Sequence, residues 1–164
     1  MLLVALFLPH IVLSTEFNCA APQTHGSFTR MTDCTLPGQI SVSGSMEVTG
    51  RDNLTTITAA SRQRHFYVTT QRLTLKWLTL TGGSLGAGAG GSILVQGVGT
   101  LVVYSSLLTK NKVDGVCRSG AWSGGGAIAG LFGAKIELRH TNITYNTMRG
   151  GYNPSVGSGG GIFI

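Results

Sequence analysis

The sequence predicts an all-β chain wound as a β-solenoid. One observation is a recurring motif: Gly90-Gly91-Ser-Ile93, Gly125-Gly126-Ala-Ile128 and Gly159-Gly160-Gly-Ile162, in steps of 35 and 34 residues. Another is an asparagine held in the same phase, Asn111 and Asn146, each 18 residues beyond its motif isoleucine. Self-similarity with such a period marks a stacked repeat. The last is composition: charged residues make up only 11% and glycine 25 of 164 positions. No amphipathic helical run of a dozen residues stands out, because glycine interrupts nearly every window. These features suit short strands joined by tight corners.

The segments between the motifs align without a gap. "TLVVYSSLLTKN" (100–111) lies over "KIELRHTNITYN" (135–146), so Leu101, Val103, Ser106 and Leu108 match Ile136, Leu138, Thr141 and Ile143. Apolar residues alternate within each run, as half-buried strands require. The intervening positions change freely, Val102 to Glu137 and Leu107 to Asn142, which predicts that they face water. A glycine-poorer copy precedes them, in which Leu73, Leu75 and Leu80 keep the same spacing. Each repeat is expected to hold two or three strands. Each strand would pair in parallel with its counterpart one coil on, ~4.8 Å away. Ile93, Ile128 and Ile162 would then form one internal column, and Leu101 and Ile136 another. Asn111 and Asn146 would stack as a short amide ladder. Residues 112–123 and 147–158 read as loops leaving one corner. The glycine pairs read as sharp corners. A phosphate-binding loop is excluded because the glycines recur and lead into strands rather than a helix.

Three segments divide the chain. Residues 1–14 contain an apolar stretch, Leu2–Leu13, too short to span a bilayer. It reads as a secretory signal cut near Ser14. No Lys or Arg precedes it, which leaves a clipped start or a buried N-terminal strand as the other readings. Residues 15–38 are expected to form an N-terminal cap region, and 39–164 the coils. The chain ends within the first strand of a further repeat, so the coils read as truncated. Cys19 and Cys34 would form a disulfide in a secreted protein, leaving Cys117 over. Asn53 and Asn142 head glycosylation sequons. The net charge of +6 comes from scattered residues with no basic run and interleaved aromatics, so nucleic-acid binding has no support. No Cys/His spacing suggests a metal site, and no cofactor is implied.

The alternation of GG-[small]-Ile with hydrophobic-x-x-Asn resembles the repeat of the polymorphic outer membrane protein family. The second motif is Leu108-Thr-Lys-Asn111 and Ile143-Thr-Tyr-Asn146, with Leu or Ile where that family favours Phe. The resemblance covers about 71–164. The upstream run from Cys34 to Leu75 looks like the opening coils of pectin-lyase-like proteins. It implies a right-handed parallel β-helix, a fold that hosts lyases, hydrolases, adhesins and spacers alike.

A glycosidase of this fold needs facing carboxylates ~5–9.5 Å apart. The six acids, Glu16, Asp33, Glu47, Asp52, Asp114 and Glu137, include no adjacent pair. The expected function is therefore non-catalytic: a secreted or cell-surface adhesin, glycan-binding or scaffold module. The alternative is the N-terminal part of a carbohydrate-active enzyme whose catalytic coils lie beyond residue 164. The candidate binding residues are Trp122, Tyr152, Lys112, Arg118 and Arg149. They offer aromatic faces beside cations for an acidic polysaccharide or cell-surface glycan.

Overall fold

The computed structural model describes residues 15–115, 124–149 and 159–164. Among them the chain is all β, without a helix, and its strands pair in parallel within four sheets. Sheet 1 comprises β1 (Thr15–Glu16), β2 (Gly26–Thr29), β5 (Met46–Thr49), β8 (Arg72–Lys76), β12 (Thr100–Tyr104) and β16 (Lys135–Arg139). Sheet 2 comprises β3 (Cys34–Thr35), β6 (Thr55–Thr58), β9 (Leu78–Thr81), β13 (Leu107–Thr109) and β17 (Asn142–Thr144). Sheet 3 comprises β10 (Ser84–Leu85), β14 (Lys112–Asp114) and β18 (Thr147–Arg149). Sheet 4 comprises β4 (Ile40–Ser41), β7 (Phe66–Val68), β11 (Ile93–Gln96), β15 (Ile128–Leu131) and β19 (Ile162–Phe163). From β8 onward the chain visits sheets 1, 2, 3 and 4 in that order before returning to sheet 1.

The register follows the hydrophobic pattern. Ile93 pairs with Ile128 and Ile128 with Ile162, and the column runs back through Phe66 to Ile40. Leu73, Leu101 and Ile136 form a second column, and Ile57, Leu80, Leu108 and Ile143 a third. Apart from the half-buried Ile162, these side chains form one continuous core or, as Ile136 and Ile143 do, pack against it. A one-residue slip would turn each strand's apolar set to solvent, so burial fixes the pairing. Each fully buried Leu or Ile contributes about 1.5–3 kcal/mol.

From β8 onward, the corners from sheet 1 to sheet 2 and from sheet 2 to sheet 3 are one or two residues long and pass through left-handed backbone conformations. Trp77, Ser105 and His140 turn the chain from sheet 1 into sheet 2, with φ of 50°, 46° and 48°. Just past two of these corners stand hydroxyls that satisfy exposed backbone ends. Ser106 Oγ donates to the Tyr104 carbonyl, and Thr141 Oγ1 to that of Arg139. The glycine pairs sit where backbones nearly touch. A Cβ on Gly91 would lie 2.2 Å from the Gly126 carbonyl oxygen, and one on Gly126 2.2 Å from that of Gly160. No side chain fits there, which is why the motif keeps glycine.

Two expectations need correction. Lys112–Asp114 and Thr147–Arg149 are strands, not the starts of loops, so a full circuit holds four strands rather than two or three. The buried middle residue of each, Val113 or the half-buried Met148, supplies the inward contact that three residues can make. Val102 is 8% exposed although it faces outward. Its neighbours in register, Thr74 and Glu137, stand ~4.8 Å to either side and cover it. The parallel register also begins earlier than the motifs. Residues 15–38 already carry β1, β2 and β3, paired into sheets 1 and 2.

Cys19 and Cys34 are joined as a disulfide, with Cα atoms 6.2 Å apart and a sequence separation of 15. It ties the segment just after β1 to the start of sheet 2. Cys117 lies outside the described residues, as does the segment 1–14.

Candidate functional site

All six acids can be placed, and five are engaged. Glu16 pairs with Arg30 at 3.0 Å, and Glu47 with Lys76 at 2.9 Å. Asp114 pairs with Lys112, and Glu137 with Arg139. The Asp33 carboxylate accepts the Thr56 backbone N–H at 2.7 Å. Asp52 stands at an exposed turn, beside Arg51 and Asn53. Glu47 and Glu137 share one outward column of sheet 1, separated by Thr74 and Val102. Three strand spacings put them ~14 Å apart, too far to flank one glycosidic bond. The described residues contain no group of three or more metal-ligating side chains.

One Ser–His pair resembles catalytic machinery and went unnoticed in the sequence, because its members lie 27 residues apart. Ser92 Oγ stands 2.9 Å from His65 Nδ1, and His65 Nε2 3.0 Å from the Ile57 carbonyl. A carbonyl only accepts, so Nε2 carries the proton and Ser92 donates to Nδ1. Both side chains are 0% exposed. No substrate reaches them, and no carboxylate orients the ring. Burial pushes the His65 pKa down from 6.5 to about 4, against the opposing pull of backbone carbonyls. The pair joins β7 to β11 through polar atoms inside the core.

Asn111 and Asn146 occupy the corner from sheet 2 to sheet 3. Asn146 Oδ1 accepts from Asn111 N at 2.9 Å and from Asn111 Nδ2 at 3.0 Å. Asn111 Oδ1 accepts from Gly83 N at 2.9 Å, and its Nδ2 donates to the Leu80 carbonyl at 3.0 Å. Asn146 Nδ2 donates likewise to the Leu108 carbonyl at 2.8 Å. The amides knit successive corners together and are spent on backbone groups.

Of the proposed binding residues, Lys112 and Arg149 lie on neighbouring strands of sheet 3. Both are exposed, and Arg149 stands in register with Asp114. Trp122, Tyr152 and Arg118 lie outside the described residues. The sequon residues Asn53 and Asn142 are both exposed. No helix among the described residues is long and apolar enough to cross a membrane.

A further feature escaped the sequence reading. The outward face of sheet 2 carries two columns of small uncharged side chains. Thr35, Thr58, Thr81, Thr109 and Thr144 form one unbroken column. Thr56, Thr79, Leu107 and Asn142 form the other. Compared with protein-family models, curated proteins and solved structures, the chain matches none.

Proposed function

We propose that the chain is a right-handed parallel β-helix that acts outside the cell as a non-catalytic binding or scaffold module. Its sheets 1 to 4 are the faces of successive coils, and its repeat is of the polymorphic outer membrane protein type. The disposition of the acids carries the reading. Five of six carboxylates are held by a cation or a backbone N–H, and the two on one column stand too far apart to act on one sugar linkage. The Cys19–Cys34 disulfide supports an oxidising compartment, and hence secretion or display at the cell surface.

The ligand proposed is an acidic polysaccharide or cell-surface glycan. Lys112 and Arg149 supply cations on adjacent strands, and Trp122, Tyr152 and Arg118 follow them closely in sequence. The test incubates the pure chain with pectate and related anionic polymers. Retention on the polymer, lost in Trp122→Ala with no change in thermal midpoint, is the expected result. New reducing or unsaturated sugar ends, abolished by Glu47→Gln or Asp52→Asn, would overturn the non-catalytic reading.

A further inference from the structure

We propose that the outward face of sheet 2 binds ice, through its ordered array of threonines. The inference is independent of the glycan reading and uses a different face. Five threonines stack in register on consecutive strands: Thr35, Thr58, Thr81, Thr109 and Thr144. Two strands add a second threonine two positions earlier, giving Thr56-Ile-Thr58 and Thr79-Leu-Thr81. Inward Ile57 and Leu80 are buried while these threonines are half-buried, so the hydroxyls and methyls point away from the core.

The array has two fixed repeats. Neighbouring strands are ~4.8 Å apart, and alternate residues along a strand ~6.7 Å apart. Hexagonal ice presents oxygen repeats of closely similar lengths along its a and c axes. A threonine offers one hydroxyl to a lattice water and one methyl to a lattice void. Its β-branch restricts χ1, so the grid is set before contact. Thr144 Oγ1 lies 3.4 Å from Thr109 Oγ1, which keeps neighbouring hydroxyls oriented together.

The chemistry of the face selects this occupant over others. No strand of sheet 2 carries a charged residue, and only Asp33, just ahead of β3, brings a carboxylate to its edge at the Thr56 N–H, whereas sheet 1 displays Arg72, Lys76, Lys135 and Arg139 with Glu47 and Glu137. Nucleic acid or an acidic polymer would require cations on the face. A protein partner would require aromatic or Arg anchors, and a sugar would require a stacking platform; neither column holds one. Leu107 and Asn142 interrupt the second column, so the five-threonine column bears most of the contact. A glycan on Asn142 would cover one end of the face.

The experiment uses the full chain, made in the bacterial periplasm so that Asn142 is bare. Thermal hysteresis and inhibition of ice recrystallisation are measured in saline. Both are expected from the wild type, and both are expected to be lost in Thr81→Tyr/Thr109→Tyr with the thermal midpoint kept. Thr49→Tyr, on the outward face of sheet 1, should retain them. Thr109→Lys serves as a second disruption should the double variant not fold, with the same expected loss. Absence of both activities from folded wild type would overturn the proposal. So would their survival in either folded sheet 2 variant, or equal loss in Thr49→Tyr; threonine would then serve only cross-strand pairing.

Discussion

Replacing Asn111 with alanine removes a fully buried amide that holds two corners together. Its Oδ1 accepts the Gly83 N–H at 2.9 Å, and its Nδ2 donates to the Leu80 carbonyl at 3.0 Å. Alanine strands both backbone groups where water does not reach. Each unsatisfied group costs about 1–3 kcal/mol, so the loss should be about 2–6 kcal/mol. That is a large part of the 5–15 kcal/mol of a typical domain. Asn146 makes the equivalent contact to the Leu108 carbonyl at 2.8 Å, but it is half-buried. Its loss also removes the acceptor of Asn111 N and Nδ2, but water can reach this half-buried position, so Asn146→Ala should cost about 1–2 kcal/mol, less than Asn111→Ala. Asn111→Asp keeps the acceptor for Gly83 but faces the Leu80 carbonyl with a second acceptor. It should destabilise at neutral pH at least as much as alanine, and recover in part once acid protonates the carboxyl. Urea melts followed by circular dichroism give the three values from the midpoints at constant slope. An Asn111→Ala cost under about 1 kcal/mol, or one smaller than that of Asn146→Ala, would refute the corner argument.

Two further outcomes follow from the core and the corners. The pKa of His65 lies near 4 when folded and 6.5 when unfolded, so the unfolded chain binds the extra proton between those values. Its contribution is complete above pH 6.5 and falls by about 3 kcal/mol as pH drops through 4; stability against pH should lose that slope in His65→Gln, while a slope unchanged by the substitution would contradict the buried neutral ring. Gly126→Ala should prevent folding or lower the thermal midpoint sharply, because its Cβ would meet the Gly160 and Thr147 carbonyl oxygens at 2.2 and 2.5 Å; a midpoint within a degree or two of wild type would remove the close-approach explanation of the motif.

How far the sequence could be read depended on spacing. The last three passes keep nearly constant intervals, so the isoleucine and asparagine positions aligned directly into pairs that the sheets contain. Earlier rungs are shorter and lack the glycine motif. Phe28, Val48, Leu75 and Val103 share a column at intervals of 20, 27 and 28 residues, and only its Leu75–Val103 step was legible, through the matched spacing of Leu73, Leu75 and Leu80. Sheet 3 was hidden because a three-residue strand has one inward side chain and no alternation to detect. The threonine column failed for a related reason. Its members are unremarkable within any single strand, and only the register brings Thr35 and Thr144 onto one face. His65 and Ser92 likewise meet only because β7 and β11 pair. Columns are properties of stacking, and a linear reading finds them only where the repeat length is constant.

The in-register stack underlies both the binding proposals and the ice-binding face, and one distance tests it most directly. Spin labels placed at Thr35→Cys and Thr144→Cys, in a Cys117→Ser background, sit at the two ends of a single column. Four strand spacings separate them, so a narrow distribution centred at about 19 Å, broadened only by the label linkers, is the expected result. A broad distribution, or a mean beyond about 30 Å, would contradict the register and every column built on it.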